Sequence, residues 1–324
     1  MEIVQFKFKK FSKIVNDLCR LAQIPQYFRY VQKKTYTNHQ FLFLLVAKEH
    51  SKQDYRSFIE SLYDSKIPQY IGLRKIPHFT TLQKFAKRLA AKLVDKLVFL
   101  TKGLFKNPGR ILGADSTGME LDHASSHYCK RIDREKPIKG FVNLNMICDV
   151  KNKNILVTKI RKKRRHDCSD FHPMFNKIKK LDFDYFVADK GYDATTNHKA
   201  IYDSGASSQI KVRNFGKTRF RAGQTIRKRA NKEHDKEIYG QRAITESVFS
   251  SLKRKYGSRL KARKYKTQKI ELLCKVLAYN IERAIRITYW LTKCLKAFLQ
   301  SRSEGNIYII YLWFLSYGVV QEEG

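Results

Sequence analysis

The spacing of apolar residues along this chain changes after residues 107–109, Asn-Pro-Gly. Before that point the pattern is helical and basic, and helices are predicted at 38–48, 53–63 and 80–104. Thr80 or Thr81 is the predicted N-cap of the third helix. The polar face of this helix carries Lys84, Lys87, Arg88 and Lys92. Region 1–105 is therefore predicted to be a helical, basic domain that binds DNA ends, although a solvated basic face would explain the lysines equally well.

After residue 107, short apolar runs predict strands that alternate with helices. Strands are predicted at 111–114, 140–150, 155–160, 185–188 and 208–212, and helices at 170–180, at 195–204 and around Glu246. An antiparallel meander followed by strand–helix units is the order of a mixed α/β sheet of the ribonuclease-H-like type, with flanking helices. This second domain is predicted to occupy residues 106–300.

The charge of the chain indicates its partner. Lys and Arg number 66 against 29 Asp and Glu, so the formal net charge is +37 over 324 residues. Such a surface binds polyanions because each neutralised phosphate releases counterions. A hydrophobic content of 43% supports a folded core rather than a disordered basic tail. Nucleic acid is therefore the predicted partner.

The cysteines and the apolar segments bear on compartment. Six cysteines are scattered without a C-x-x-C pair, which argues against a zinc module and a disulfide framework and fits a reducing, intracellular compartment. The N-terminus lacks the apolar region of a signal peptide. Residues 307–320 are strongly apolar, but about 14 residues fall short of the roughly 20 that a spanning helix needs. Residues 301–324 are therefore interpreted as a tail of unclear role, and no membrane partner is expected.

Acidic residues follow two of the predicted strands. Asp115 comes directly after the first strand and Asp189 directly after the fourth, so both would converge near the centre of the sheet if these strands are neighbours. Glu246 from the last helix could complete a triad. Three carboxylates suit Mg²⁺ or Mn²⁺, and a pair of such ions can drive phosphodiester chemistry. An aspartate after a strand is also common as a turn or helix cap, and that alternative stays open.

Four residues in the last predicted helix share one face. At roughly 100° per residue, Tyr239, Arg242, Glu246 and Lys253 fall within a stripe about 60° wide. The apolar residues of the same helix take another side and predict a core face: Ile244, Val248, Phe249, Leu252 and Tyr256. A glutamate among groups suited to phosphate indicates a metal at a nucleic-acid site. The alternative is a solvated Arg–Glu pair at i, i+4.

Taken together, these motifs resemble one family. Asp115, the Ala-Asp-Lys-Gly-Tyr-Asp segment at 188–193 and the Tyr-x2-Arg-x3-Glu-x6-Lys spacing at 239–253 are similar to the three acidic motifs of insertion-sequence DDE transposases, in the group named for its Y-R-E-K signature. The resemblance covers about residues 75–290 and includes Ala-Tyr-Asn at 278–280. It implies a catalytic core of the retroviral-integrase type with Asp115, Asp189 and Glu246 as catalytic ligands of Mg²⁺, for which Mn²⁺ could substitute.

The resemblance also implies a reaction and partners. Water would nick the end of the element, and the released 3′-hydroxyl would attack target DNA. The DNA contacts implied within the motifs are Tyr239, Arg242, Lys253, Lys190 and Tyr192. His166 and Asp167 are secondary candidates, since a capping role accounts for them as well. The expected assembly is a homodimer on terminal inverted repeats and target DNA, in the cytoplasm of a prokaryote and associated with the nucleoid.

Two features depart from the family pattern, and two other functions compete. The two tryptophans, Trp290 and Trp313, lie downstream of Glu246, so base stacking in a hairpin intermediate is not supported. The apolar tail matches nothing expected of the family. A ribonuclease-H-like nuclease or resolvase would use the same triad without joining strands. A catalytically silent, transposase-derived DNA-binding protein is the third interpretation.

Overall fold

The computed structural model describes residues 2–28, 35–121, 140–162, 168–213 and 225–303, with side chains from Lys7 to Tyr289. His166, Asp167, Trp313 and residues 304–324 of the predicted tail lie outside the described residues, as does the side chain of Trp290. Residues 1–281 form one compact unit, and a second unit begins at residue 282.

The N-terminal part is helical, as the pattern predicts. Its helices are α1 (Glu2–Leu21), α2 (Asn38–His50), α3 (Tyr55–Tyr63), α4 (Ile67–Tyr70), α5 (Phe79–Arg88) and α6 (Ala91–Leu100), followed by a 3₁₀ turn at Thr101–Leu104. Thr37 and Gln40 form a reciprocal capping box at the start of α2. Asp54 caps α3 by accepting from the backbone N–H groups of Arg56 and Ser57.

The prediction of a single helix at 80–104 is wrong, because this stretch forms two helices, α5 and α6. Leu89 adopts an extended backbone, with φ −59° and ψ 133°, and its side chain is fully buried. The predicted N-cap is also wrong: His78 occupies that position, and its ring accepts from the backbone N–H of Thr80. Burial of Leu89 between α5 and α6 explains a break that no glycine or proline marks.

The second part contains the predicted mixed sheet, and this fold prediction is confirmed. Its strands are β1 (Ile111–Leu121), β2 (Phe141–Asp149), β3 (Asn154–Arg161), β4 (Tyr185–Ala188), β5 (Ser207–Ile210) and β6 (Arg259–Leu260). The order is β3-β2-β1-β4-β5, with β6 also paired to β1. β1, β2 and β3 are antiparallel, whereas β4, β5 and β6 run parallel to their neighbours.

The first strand is longer than predicted, so Asp115 lies inside it rather than after it. β1 continues its antiparallel pairing with β2 as far as Glu120, opposite Phe141. Near its end β1 also pairs with β6, at Glu120 and Leu121. These backbone ladders carry the polar residues after Ala114 into the sheet, although their side chains suit a loop.

Helices cover both faces of the sheet. The helices of this part of the chain are α7 (Cys168–Phe175), α8 (Thr195–Asp203), α9 (Thr225–Lys232), α10 (Lys236–Gly240), α11 (Ala243–Tyr256) and α12 (Tyr265–Ser303). One core cluster joins α7 and α8 to the sheet and includes Ala114, Phe171, Phe186 and Ile201. Among the helices of the described ranges, none combines the length and apolar character needed to cross a membrane.

Asn280 of α12 anchors the edge strand β3. Its side-chain amide donates to the carbonyl of Ile155 at 2.7 Å, and its carbonyl accepts from the N–H of the same residue at 3.0 Å. The amide also donates to Thr101 Oγ1 at 2.9 Å. The pairing of β2 with β3 shifts register between Ile147 and Cys148, next to this anchor. Asn280 therefore provides hydrogen-bond partners for the backbone N–H and C=O of Ile155, at the point where the pairing of β2 with β3 is irregular.

Four charged residues are buried where α2 faces α12: Lys48, Glu49, Glu271 and Lys275. Lys48 Nζ lies 2.6 Å from Glu49 Oε1. The Glu271 carboxylate accepts from the backbone N–H groups of residues 261 and 262, and Lys275 Nζ donates to the Arg259 carbonyl at 2.6 Å. Burial raises the pKa of Glu49, although the charge of Lys48 acts in the opposite direction. Through these backbone hydrogen bonds the cluster fixes residues 259–262, which follow α11, against α12.

Candidate active site

The parallel pairing of β1 with β4 brings two of the predicted carboxylates side by side. Ala114 pairs with Ala188 at the end of the parallel ladder, and the next residues in the two strands are Asp115 and Asp189. Asp189 keeps an extended backbone, with φ −66° and ψ 158°, so it continues the direction of β4. Both aspartates are partly buried. The first and fourth strands are therefore neighbours, which is the condition under which the two aspartates were expected to converge.

Strand alternation places the two aspartates on the same face of the sheet. Side chains two residues apart in a strand share a face, so Asp115 lies on the face of Gly113 and Thr117. Asp189 lies on the face of Val187, whose Cγ2 is 3.2 Å from the position that a Cβ of Gly113 would take. This is the face against which α11 packs.

Helix α11 approaches β1 at a glycine. A Cβ on Gly113 would lie closer than 3.0 Å to Thr245 Cγ2, so the absence of a side chain at position 113 makes room for the Thr245 side chain. The Thr245 hydroxyl donates to the Arg242 carbonyl at 2.7 Å and lies 3.5 Å from Asp115 Oδ2. The backbone N–H of Ser116 donates to the other oxygen, Asp115 Oδ1, at 2.8 Å. Sequence reasoning missed Thr245, although its place beside Glu246 on the core face of the helix was the available signal.

The four signature residues do not lie on one continuous helix, which corrects the predicted geometry. Tyr239 belongs to α10, Arg242 is the N-cap of α11, and the link between them is of the 3₁₀ type. In this link the N–H of Arg242 donates to the Tyr239 carbonyl and the N–H of Thr245 to the Arg242 carbonyl. The predicted core face of α11 is nevertheless observed, with Val248, Phe249, Leu252 and Tyr256 buried and Ile244 partly buried.

Three of the signature side chains are close to one another, and the fourth contacts β1. Arg242 Nη1 donates to Glu246 Oε1 at 2.7 Å, and the guanidinium lies 5.9 Å from the centre of the Tyr239 ring. About two turns beyond Glu246 in α11, Lys253 Nζ donates to Thr117 Oγ1 at 2.6 Å. Thr117 and Asp115 share a face of β1, so the ammonium group lies along the same strand as the candidate carboxylate.

The electrostatic surroundings of Arg242 link it to the second aspartate. Partial burial lowers the pKa of Arg242, but the hydrogen bond to Glu246 and the charges of Glu246, Tyr239 and Asp189 outweigh it and raise the pKa. The Glu246 side chain is 56% exposed. An i, i+4 pair of this kind contributes only a few tenths of a kcal/mol to stability. Its geometry agrees with the solvated Arg–Glu alternative.

The two residues predicted from the second motif differ in accessibility. Lys190 is exposed, whereas Tyr192 is 1% exposed and belongs to the core cluster. The prediction that Tyr192 contacts DNA is therefore corrected, because its ring packs inside the protein. Across the described ranges, no three His, Cys, Asp or Glu side chains are already gathered as metal ligands.

The last residue of the second motif, Asp193, is a buried hub. Its side chain is 1% exposed and accepts from Arg227 Nη2 at 2.5 Å and from the backbone N–H of Arg213 at 2.7 Å. His198 Nε2 lies 3.1 Å from the same carboxylate. Burial raises the pKa of Asp193, but the hydrogen bonds from His198, Arg227 and Arg213 outweigh it and lower the pKa to about 2.

The side chains that contact one another at Asp193 follow the order of a catalytic triad, but the site is closed to solvent. His198 Nδ1 lies 2.8 Å from Ser208 Oγ, which gives the sequence of contacts Asp, His, Ser. Both His198 and Ser208 are 0% exposed, so no substrate can reach the hydroxyl. The hub instead ties the turn after Asp189 to α8, β5 and α9, and Arg213 Nε donates to the carbonyl of Lys190 in that turn.

The topology and the site define a class of protein. A mixed sheet with two acidic residues on neighbouring parallel strands, and a helix across that face carrying a third acid, is consistent with the ribonuclease-H-like fold. Residues 106–281 match the family model described as "Transposase DDE domain", which is more than half of the 324-residue chain. The chain therefore belongs to the DDE transposase family.

Comparison with other proteins adds one structural likeness. The chain is similar to the piggyBac transposase in a structure described as a synaptic complex with hairpin DNA, with 11% sequence identity and a TM-score of 0.43. The similarity covers 86% of this chain and 74% of the other. A search of curated proteins gave no match.

Proposed function

We propose that this chain is a DNA transposase that cuts at the terminal inverted repeats of an insertion sequence and joins the 3′-hydroxyl ends to target DNA by metal-dependent hydrolysis and transesterification. The observation that carries this proposal is the register of β1 and β4. It sets Asp115 beside Asp189 on the face that α11 covers. Family membership supports the proposed class of reaction, and the register of β1 and β4 supports the proposed location of the site.

Asp115, Asp189 and Glu246 are the proposed metal ligands. Carboxylate oxygens are the ligands that Mg²⁺ and Mn²⁺ prefer, so the donor set fits these ions. Glu246 lies in the first turn of α11 beside Thr245, which contacts Asp115, and its exposed side chain can rotate away from Arg242. When bound, such ions would activate the attacking oxygen and stabilise the leaving oxygen.

The cationic residues around these carboxylates are proposed to hold the DNA backbone. Arg242 offers a planar fork suited to phosphate, and Lys253 and Lys190 act as point charges. Tyr239 can hydrogen-bond a phosphate or stack on a base. Because Lys253 already lies over β1 at Thr117, a phosphate that it holds would lie along the strand that carries the first aspartate. Joining two element ends requires two active sites, so a homodimer on DNA is part of the proposal.

The test is cleavage and joining of a labelled duplex that carries the terminal repeat, with Mg²⁺ or Mn²⁺ present. The variant is Glu246→Gln, and the matched control is Glu237→Gln, an exposed acid on the neighbouring helix α10. We expect metal-dependent 3′ nicking and a joined product from the wild type and the control. The Glu246→Gln variant should lose both while still binding the duplex.

Two other results would replace the proposal. Cleavage without a joined product would identify a ribonuclease-H-like nuclease or resolvase that uses the same carboxylates. Binding of the repeat with no cleavage by the wild type in either metal would identify a catalytically silent DNA-binding protein derived from a transposase.

A further inference from the structure

A basic groove lies in the N-terminal helical part, away from the carboxylates. Helices α1, α2 and α4 line it, and its volume is about 730 Å³. The cations at its wall include Lys9, Lys10, Lys13 and Arg20, all from α1. No acidic side chain of the described residues lines the groove. A cleft lined by one sign of charge concentrates the electrostatic potential and attracts ligands of the opposite sign.

The cations of α1 form a narrow stripe opposite its core face. At roughly 100° per residue, Lys9, Lys13 and Arg20 fall within about 40° of one another. The buried residues Phe11 and Val15 fall on the opposite side of the helix. From Lys9 to Arg20 the rise is roughly 16 Å, at 1.5 Å per residue. That length matches about five steps of one DNA strand at 3.4 Å per step.

The cations of this stripe have no salt-bridge partner among the described residues. Lys9, Lys13 and Arg20 are exposed, and in the described part of the chain none of them has a carboxylate within salt-bridge distance. Some arginines elsewhere are paired with an acid, for example Arg227 with Asp193. Neutral polar side chains also line the groove, among them Asn16, whose Oδ1 lies 3.1 Å from His39 Nδ1. This surface can exchange bound counterions for phosphates.

We infer that this groove holds one sugar–phosphate strand of the element's DNA through Lys9, Lys13 and Arg20. The inference depends on the proposed function for the identity of the ligand as DNA. The sequence suggested a different basic surface, the face of α5 that carries Lys84 and its neighbours. That face is the outer surface of a single helix, whereas the groove is concave and has polar groups on several elements that can follow a bent backbone.

Two triple variants separate the two surfaces. One replaces Lys9, Lys13 and Arg20 with Gln, and the other replaces Lys84, Lys87 and Arg88 with Gln. Both remove the same number of charges from exposed positions on helices. The measurement is the affinity of the full chain for a terminal-repeat duplex between about 50 and 200 mM salt. The salt slope should fall by about 3 in the groove variant, since each lost phosphate contact lowers it by about 0.9, and stay unchanged in the α5 variant.

A charge-preserving variant guards against a folding artefact. Lys9→Arg combined with Lys13→Arg keeps both charges and should keep the wild-type salt slope. An unchanged slope in the groove variant, or an equal fall in both triple variants, would overturn the groove assignment. Failure of the wild type to cut the repeat would count against the proposed function instead, because salt-dependent binding is measured without metal and without cleavage.

Discussion

Gly113 and Thr245 lie so close that no residue with a Cβ fits at position 113 unless the Thr245 side chain or α11 moves. We predict that Gly113→Ala lowers the free energy of unfolding by about 1–3 kcal/mol, because an added methyl overpacks a buried contact. A movement of α11 would also change the position of Glu246 relative to Asp115, so the single-turnover rate of cleavage should fall even where the variant remains folded. Urea denaturation and single-turnover cleavage measure the two effects.

Gly118 provides the matched control on the same strand. A Cβ there would lie 3.7 Å from the nearest atom, in the Phe141 ring, which is an ordinary contact. Gly118→Ala should therefore leave the unfolding free energy equal or slightly higher, since alanine restricts the unfolded chain. Equal losses in Gly113→Ala and Gly118→Ala would show that the close approach of α11 is not what requires a glycine.

Asp193→Asn should destabilise the protein near neutral pH by about 1.5–3 kcal/mol, because charge-assisted hydrogen bonds from Arg227, Arg213 and His198 are weakened. The folded-state pKa of about 2 lies below the ordinary value of 3.8. This carboxylate therefore contributes stability above about pH 4, and the contribution is lost as the pH falls towards 2. Wild type and variant should converge over that range in denaturant titrations.

Asp203→Asn is the control for this substitution, since Asp203 is exposed at the end of α8. It should change the unfolding free energy by less than about 0.5 kcal/mol at any pH. A stability difference between wild type and Asp193→Asn that stays constant down to about pH 2 would contradict the assignment of Asp193 as a buried hub.

Asn280→Asp should cost about 1–3 kcal/mol of unfolding free energy, because the new carboxylate cannot donate to the Ile155 carbonyl or to Thr101. Thermal unfolding measures the loss, and amide exchange at Ile155 reports whether the edge strand has loosened. Asn176→Asp, at an exposed position after α7, is the control. The same loss in both variants would rule out a specific anchor.

Lys275→Met should destabilise the protein by about 3–5 kcal/mol, because it leaves the buried Glu271 without its cationic neighbour. It also removes the donor to the Arg259 carbonyl in β6. Lys266→Met, at an exposed position of the same helix, should have an effect below about 0.5 kcal/mol. A loss in Lys275→Met no larger than in this control would show that the cluster does not hold the chain after α11.

The alternation of apolar and polar residues predicted those elements whose bounds depend on residues close in the sequence. The strand at Tyr185–Ala188 is a short apolar run between polar residues and has the predicted bounds. The break at Leu89 and the division of the signature between α10 and α11 depend on tertiary packing instead, through burial of Leu89 and the contact of Thr245 with Gly113. Periodicity alone contains no signal for either.

The same distinction applies to the site. The acidic positions after Ala114 and Ala188 were visible as polar residues that end apolar runs, and the register of the sheet then brought them together. Tyr192 was misjudged because a tyrosine inside a motif does not reveal which way its ring points, and here it points into the core. Asp193 escaped notice because its partners are far along the chain, at positions 213 and 227.

The buried charges of α2 and α12 limit how this protein can be divided. Glu271 and Lys275 belong to the stretch that matches the family model, whereas Lys48 and Glu49 precede it. Lys52 Nζ also donates to the Arg254 carbonyl at 3.0 Å, across the same boundary. In a chain shortened to residues 106–281, the buried charges of α12 and the Arg254 carbonyl at the end of α11 would lose their partners and become exposed to water. The helical part and the sheet are therefore expected to be inherited together, so that exchange of one between relatives requires matching changes in the other.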